Sequence, residues 1–173
     1  MMPFGVLIPK TKSDLIETIN YARETRVPLL ARGGGTSQCG QTVNNAIVID
    51  NSKYLNKVLD FNKEKMTCIV EPGIVLDELN RFLKPYGLWF PVDVSTSSRA
   101  TIGGMAGNNS CGGRSIRYGM MRDNVIDIEA ILYDGSIYNF GKIKSDHINS
   151  SKSNGYEIIK KPITTEKSTN LQQ

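Results

Sequence analysis

A glycine-rich turn early in the chain has the composition of an anion-binding loop. Gly33, Gly34 and Gly35 follow the apolar run 27–30, so the turn is predicted to begin where a strand ends. Glycine has no Cβ atom and adopts positive φ readily, which lets several backbone N–H groups point at one centre. Thr36 and Ser37 add hydroxyl donors. The loop is therefore predicted to hold a phosphate or a diphosphate, and a flexible surface turn is the alternative.

A second segment, residues 100–113, has a similar composition of glycine, small and amide residues. Its glycines are Gly103, Gly104, Gly107, Gly112 and Gly113. Two such segments predict one ligand that contacts the chain twice. The alternative is a tight turn that packs small residues against a helix.

Two common nucleotide-binding motifs are missing from these segments. A Walker loop needs Gly-Lys followed by Ser or Thr, but the Lys142 that follows Gly141 precedes Ile143. The dinucleotide motif G-x-G-x-x-G fails at Gln38, where its third glycine would stand. The sequence therefore predicts a different phosphate-binding architecture.

The composition is that of one globular domain. The 173 residues are 39% hydrophobic and 22% charged, and no apolar run approaches the roughly 20 residues that a membrane-spanning helix needs. Basic and acidic residues nearly balance over residues 1–141, so most of the net charge of +4 comes from residues 142–173. That distribution argues against nucleic-acid binding, because a solvated tail explains the charge. The chain start lacks the pattern of a secretory signal, which predicts a cytoplasmic protein.

The three cysteines, Cys39, Cys68 and Cys111, form neither a disulfide framework nor a CxxC metal motif. They are predicted to be reduced and non-catalytic, and no metal site is predicted. A reactive thiol at Cys39 or Cys111, within the glycine-rich segments, is the alternative.

Hydrophobic periodicity predicts the elements that must position the first glycine loop. A strand at residues 6–8, a helix whose capping residues lie within residues 11–14 and a strand at residues 27–31 predict a βαβ unit. The apolar face of this helix is assigned to Leu15, Ile16, Ile19 and Ala22. The glycine loop then lies at the carboxyl end of a strand, where βαβ units bind ligands.

The rest of the chain predicts further strands and one more helix. Buried strands are expected at residues 46–49 and 67–70, with a turn within residues 60–65. Residues 75–84 predict a helix, in which core packing alone accounts for the apolar residues Leu76, Leu79, Phe82 and Leu83. Residues 126–140 predict an antiparallel hairpin with a primed turn at Asp134-Gly135.

Four segments in a fixed order resemble one known family. They read RGGGTSQCGQ, EPGIVLDELN, GLWFPVDVSTSSRATIGGMAGNNSCGGRSIRYG and LYDGS. They resemble the flavin-binding domain of FAD-linked oxidases, the group of vanillyl-alcohol oxidase and p-cresol methylhydroxylase. The resemblance is greatest to the D-lactate, glycolate and D-2-hydroxyglutarate dehydrogenases, and it covers residues 6–140.

This resemblance implies an α+β fold with two subdomains in an FAD-binding domain at residues 1–141. A small parallel βαβ subdomain would cover residues 1–55, and a mixed or antiparallel sheet with helices would cover residues 56–141. Residues 142–173 are predicted to be a polar, poorly structured or incomplete segment. The substrate domain of the family is expected to be absent, and the chain is expected to be truncated at both ends.

The resemblance also implies which residues bind FAD, whereas it assigns no catalytic residue. The residues expected to contact the cofactor are Arg32, Gly33, Gly34, Gly35, Thr36, Ser37, Gly40, Gln41, Pro91, Asp93, Thr96, Thr101, Gly103, Gly104, Asn108, Ser110 and Gly112. The Arg32 side chain faces the phosphates or turns back into a salt bridge. Covalent attachment in the family uses His or Cys, but the phosphate loop has no histidine and the only one, His147, lies in the polar tail. Noncovalent FAD is therefore predicted.

The function implied is the FAD-binding portion of a flavin-dependent dehydrogenase that oxidises a 2-hydroxy acid. It would be complete only with a longer chain, or with a partner polypeptide that carries a substrate domain or an iron–sulfur electron-transfer centre. Such a partner could also attach the chain to a membrane surface. Two alternatives stay open: a non-catalytic remnant of this family, and a nucleotide-binding module with a ligand other than flavin.

Overall fold

A three-stranded parallel sheet begins the chain. The computed structural model describes residues 1–141, and in it β1 (Gly5–Leu7), β2 (Leu29–Arg32) and β3 (Ile47–Asp50) pair in the order β1-β3-β2. Helix α1 (Lys12–Thr25) connects β1 to β2. The predicted βαβ unit is therefore present, with β3 inserted between its two strands.

Helix α1 begins and ends at clear local signals. Thr11 Oγ1 accepts a hydrogen bond from the N–H of Asp14 at 3.2 Å, and Asp14 Oδ2 accepts one from the N–H of Thr11 at 3.0 Å. This reciprocal capping box satisfies N–H groups that a helix start leaves free. The helix ends at Arg26, whose φ of 57° is left-handed. Ile19 and Ala22 are buried as predicted.

An antiparallel pair follows the parallel sheet. It consists of β4 (Val58–Asn62) and β5 (Thr67–Val70). The sequence analysis missed β4, because its polar residues were assigned to the turn, which instead occupies residues 63–66. The prediction of β5 as a buried strand is wrong, because Thr67, Cys68 and Val70 are only half-buried and Ile69 is 59% exposed. An antiparallel pair covered on one side alternates inward and outward residues, which explains this exposure.

The main core lies around α2 (Leu76–Leu83), which a 3-10 turn at Lys84–Tyr86 ends. Leu76, Leu79 and Leu83 are buried in a cluster of nine residues, as predicted for this helix. The other members of the cluster are Ile74, Val92, Ala100, Ile102, Met105 and Met121.

Phe82 differs from the other apolar residues of α2. It is 38% exposed, and its ring packs against Phe61 at 5.6 Å and Tyr86 at 5.9 Å between centroids. The prediction that core packing alone accounts for Phe82 is therefore wrong. It belongs to a half-exposed aromatic group at the end of the helix.

Three short helices and a hairpin complete the described residues. They are α3 (Ile102–Gly107), α4 (Ser115–Tyr118), α5 (Met121–Asn124), and the antiparallel strands β6 (Asp127–Ile131) and β7 (Ile137–Gly141). Parallel and antiparallel sheets together with helices confirm the predicted α+β class.

The turn between β6 and β7 is not of the predicted primed type. The Gly135 N–H donates to the Leu132 carbonyl, so Tyr133 and Asp134 are the central residues, and neither has positive φ. Gly135 instead follows the turn at φ 83°. This is the three-residue arrangement in which a glycine bulge adjusts the strand twist.

Among residues 1–141, no helix is both long enough and apolar enough to cross a membrane. The predicted polar segment 142–173, including His147, lies outside the described residues. The predicted subdomain boundaries stay predictions.

Candidate functional site

The first glycine loop leaves β2 at the carboxyl edge of the parallel sheet. There the Asn51 N–H donates to the Arg32 carbonyl at 3.1 Å, which joins the ends of β2 and β3. Gly35 then adopts φ 65°, the left-handed conformation that glycine supplies without strain. The glycine loop therefore begins where strand β2 ends and changes the chain direction there, as predicted.

The two glycine-rich segments contact each other. A Cβ atom at Gly33 would overlap Oγ1 of Thr101, and one at Gly34 would overlap the carbonyl oxygen of Arg99. Both positions therefore need glycine because the second segment lies directly against the loop. This contact supports the prediction that the two segments share one ligand.

Hydrogen bonds hold the second segment beside the start of α2. The Leu76 N–H donates to the Ala100 carbonyl at 3.0 Å, and the Gly103 N–H donates to the Pro72 carbonyl at 2.8 Å. A Cβ at Gly103 would lie 2.6 Å from Cβ of Pro72. Gly103 therefore serves close chain packing, which is the alternative that the sequence left open for this segment.

Thr101 has a structural role in addition to its predicted role in contacting FAD. Its side chain is 2% exposed, and Oγ1 accepts a hydrogen bond from the Gly104 N–H at 3.3 Å, which caps α3. Thr101 still borders the cavity described below.

A polar corner lies at the other end of the second segment. The Arg114 N–H donates to Asp93 Oδ1 at 3.1 Å, and Gly112 packs against Asp93. The Arg114 guanidinium lies 5.2 Å from the ring centroid of Trp89. Trp89 also packs edge-on against Tyr118. Arg114 therefore contacts both residues, Asp93 through its backbone N–H and Trp89 through its guanidinium.

The glycine loop, the segment around Asp93 and residues 100–113 enclose a cavity of about 1090 Å³. Ligand pockets commonly measure roughly 300–1,000 Å³, so this one has room for a molecule of dinucleotide size. The predicted residues that line it are Arg32, Gly33, Gly34, Gly35, Thr36, Ser37, Gln41, Asp93, Thr96, Thr101, Gly103, Gly104, Asn108, Ser110 and Gly112. Gly40 and Pro91 do not line it.

Several lining residues were not predicted, Asn51 and Pro72 among them. Asn51 directly follows β3, and β3 runs parallel to β2. Carboxyl ends of neighbouring parallel strands meet at one edge of a sheet, so this position could have been found from the strand assignment. Pro72 had no such signal, because its place depends on the pairing with Gly103.

Few ionisable side chains reach the cavity. Within the described part of the chain they are Arg32, Asp93 and Cys111. The same part of the chain contains no group of three or more His, Cys, Asp or Glu residues arranged to hold a metal ion. The lining is therefore mainly backbone, hydroxyl and amide groups, which can orient a ligand by hydrogen bonds.

A family model described as an FAD binding domain matches residues 3–141. The chain belongs to this FAD-binding domain family. The resemblance predicted from the four sequence segments is confirmed, as are FAD as the cofactor and the α+β fold.

Curated relatives of the FAD-binding domain are flavin-dependent dehydrogenases and oxidase subunits. The chain is 36% identical over 147 residues to D-2-hydroxyglutarate dehydrogenase of Haemophilus influenzae, covering 83% of the chain and 14% of that protein. It is 34% identical to glycolate oxidase subunit GlcD of Bacillus subtilis, covering 81% of the chain and 30% of the relative. It is 37% identical to the mitochondrial D-lactate dehydrogenase (cytochrome) of Arabidopsis thaliana, covering 79% of the chain and 24% of that protein. The chain therefore spans less than a third of the length of these relatives.

A solved structure of alkyldihydroxyacetonephosphate synthase has a similar fold, with a TM-score of 0.69 and 23% identity. The similarity covers 83% of this chain and 26% of that one. At this identity it concerns the fold alone.

The residues of this FAD-binding domain fit a bound diphosphate. Arg32 takes part in no ion pair among residues 1–141, so the predicted alternative of a salt bridge is not found there. Its guanidinium lies beneath Gly35, where an added Cβ would be 2.5 Å from an Nη atom, and its Nε is buried without a hydrogen-bond partner. A buried donor without a partner is costly and uncommon. An anionic ligand above the loop would compensate the charge of Arg32.

Proposed function

We propose that this chain is the FAD-binding portion of a flavin-dependent dehydrogenase that acts on a 2-hydroxy acid. The observation that carries the proposal is the direct contact between the two glycine-rich segments around one large cavity. The names of the relatives support the substrate class, because D-2-hydroxyglutarate, D-lactate and glycolate are all 2-hydroxy acids.

The described residues supply binding and orientation. The backbone N–H groups of Gly33, Gly34 and Gly35 hold the diphosphate, and Thr36 and Ser37 add hydroxyl donors. FAD, when bound, supplies N5 of the flavin ring as the acceptor of the substrate hydride. Residues within 103–112 that line the cavity would contact the rest of the cofactor.

We infer that the base that removes the substrate hydroxyl proton lies outside the described part of the cavity. Asp93 is the one carboxylate that lines this part, and the Arg114 backbone N–H holds its Oδ1 at 3.1 Å within the loop structure. The substrate-binding and proton-accepting residues are therefore supplied by further polypeptide, in the same chain or in a partner. Glycolate oxidase GlcD is itself named a subunit, which supports a partner. An iron–sulfur polypeptide that accepts the electrons is one form of this prediction.

A non-catalytic FAD-binding module is the second candidate. The small number of ionisable groups in the cavity favours it, because binding needs none of the acid–base chemistry that turnover needs. Reduction of bound flavin by a 2-hydroxy acid, once the remaining polypeptide is added, distinguishes the dehydrogenase from this module.

Noncovalent attachment of FAD is part of the proposal. It rests on the absence of histidine from the phosphate loop and on the prediction that Cys39 and Cys111 are unreactive. We expect acid precipitation of the loaded chain to release all of its flavin. A yellow band that survives denaturing electrophoresis would contradict this. A cytoplasmic location, and attachment to a membrane surface through a partner, stay predictions from the sequence.

The binding step is tested by titrating the purified chain with FAD, followed by flavin fluorescence. We expect saturable binding by the unmodified chain and a loss of about tenfold to a hundredfold in affinity for Gly34→Val. The isopropyl group would meet the Arg99 carbonyl and move the loop N–H groups away from their common centre. Each lost hydrogen bond to a charged group costs about 1.5–3 kcal/mol. Thr36→Ala should weaken binding less, because the backbone carries most of the contact.

Gly5→Val is the matched control, because nothing lies within 4 Å of a Cβ at Gly5. It should bind FAD as the unmodified chain does. An unmodified chain that is folded but does not bind FAD would reject the proposed function. Equal losses for Thr36→Ala and Gly34→Val would reject the backbone-cradle model while leaving FAD binding intact.

A further inference from the structure

Asn51 is a cavity-lining residue whose side chain has no assigned role. It follows β3 at the carboxyl edge of the parallel sheet, and its backbone N–H bonds to the carbonyl of Arg32. Its side-chain Oδ1 is buried and has no hydrogen-bond partner within the described part of the chain. Buried acceptors without partners are uncommon in folded proteins, and each one usually has a water, a ligand or a function to explain it.

The ordinary role of asparagine at such a position is already taken by its neighbour. Asn and Asp at chain turns commonly bond to the backbone two residues further on. Here Asp50 does so, because its Oδ1 accepts from the N–H of Ser52 at 2.9 Å and from the Ser52 hydroxyl at 2.6 Å. Asn51 is therefore not needed to form the turn.

The position of Asn51 is adjacent to the predicted diphosphate. Its backbone partner Arg32 immediately precedes Gly33, the first glycine of the loop. In FAD, a ribityl chain and a ribose flank the diphosphate on its two sides, and both carry hydroxyl groups. A diphosphate held by the loop would therefore have hydroxyl groups of the same ligand on both of its sides.

We propose that Asn51 is a further cofactor-binding residue, whose amide bonds to a sugar hydroxyl of FAD beside the diphosphate. The inference rests on the proposed FAD-binding function. A phosphate oxygen only accepts hydrogen bonds and would leave Oδ1 without a donor. A hydroxyl group can donate to Oδ1 of the amide. It can also accept from the NH₂ group of Asn51 if the amide is turned the other way.

The test compares FAD affinity of the unmodified chain with Asn51→Leu, which keeps the number and branching of the side-chain heavy atoms and removes both hydrogen-bonding ends. We expect the Kd for FAD to rise about three- to tenfold, the usual effect of one lost hydrogen bond. Asn20→Leu is the matched control, because Asn20 lies in α1 and does not line the cavity. Its Kd should not change.

A second variant and two smaller ligands make the outcome decisive. Asn51→Ala, checked by circular dichroism, replaces Asn51→Leu if leucine prevents folding. ADP contains the ribose and FMN contains the ribityl chain, so the ligand whose affinity Asn51→Leu lowers identifies the hydroxyl. An unchanged Kd for FAD, ADP and FMN in folded Asn51 variants would overturn this inference alone. Failure of the unmodified chain to bind FAD would overturn the proposed function and this inference together.

Discussion

Two glycines of the first loop lie where a side chain would overlap another part of the chain. Gly33 and Gly34 are glycines because Thr101 and the Arg99 carbonyl occupy the space where a Cβ would stand. Their role is to bring two segments together as much as to contact a ligand. The sequence showed that these positions lack side chains, but not that another part of the backbone fills the space.

The three thiols should differ in reactivity according to their surroundings. Cys39 and Cys111 are exposed, whereas Cys68 is half-buried and burial raises its pKa. A raised pKa lowers the thiolate fraction at a given pH, so Cys68 should need a higher pH for the same rate. Because Cys111 lines the cavity, bound FAD should slow its modification but leave Cys39 unaffected.

Iodoacetamide labelling followed by peptide mass spectrometry, with and without FAD, measures these rates. Equal rates for Cys68 and Cys39 in the folded chain would contradict the burial argument. Equal rates for Cys111 with and without FAD would argue against a cofactor in this cavity.

At the scale of elements, local signals predicted the two longest helices, α1 and α2, and the three parallel strands, but not the short helices α3, α4 and α5. Capping residues within residues 11–14 marked the start of α1, and the apolar spacing of Leu76, Leu79 and Leu83 marked α2. Strand β4 was missed because polar residues can form a strand when one side faces water. The turn type at Asp134 was missed because the Asp-Gly pair occurs both in primed turns and before a glycine bulge.

The capping box of α1 gives a prediction at this scale. Thr11→Ala should lower the free energy of unfolding by about 1 kcal/mol, the typical cost of losing an N-cap side chain. Ser13→Ala is the control, because Ser13 lies in the first turn and makes only one long bond to Glu17, at 3.4 Å. Chemical denaturation of both variants measures the difference, and a loss that is equal in the two would contradict the capping role.

The capping box of α1 also makes the stability of the folded chain depend on pH. The N–H of Lys10, followed by the hydroxyl and N–H of Thr11, lowers the pKa of Asp14 below its ordinary 3.8. A lowered pKa in the folded state stabilises the fold above the ordinary value, and this stabilisation is lost as pH falls through the lowered pKa. The difference between Thr11→Ala and the unmodified chain should therefore shrink below pH 3.8.

For the whole molecule, family and cofactor could be predicted because four separate segments carried them in a fixed order. The cavity itself could not, since it depends on pairing between residues that are distant in sequence, such as Pro72 with Gly103. Asn51 was also missed, although the predicted strand before it marks its place at the carboxyl edge of the sheet. Its role becomes visible only when β3 is placed beside β2.

One face of the β6–β7 hairpin gives a prediction about association. Ile128 pairs with Phe140 and Ala130 pairs with Tyr138, and the two aromatic side chains are more than half exposed. Exposed contiguous apolar faces promote association. Ile128→Glu should therefore reduce self-association of the chain, measured by sedimentation velocity, without changing its Kd for FAD.

Ile116→Glu makes the same change at an isoleucine that is 100% exposed and belongs to α4, not to the hairpin. It should leave self-association unchanged. Equal effects of the two substitutions would mean that added negative charge, and not the hairpin face, is responsible.

The corner formed by Asp93 and Arg114 also fixes the position of Trp89, which is the only tryptophan in the 173 residues. Indole emission from this chain therefore comes from one side chain in one environment. Flavin absorbs light in the range where indole emits, so a bound cofactor acts as an energy acceptor for Trp89. The unmodified chain thus carries its own optical reporter, and the approach of flavin can be timed by the decay of tryptophan emission without any added label.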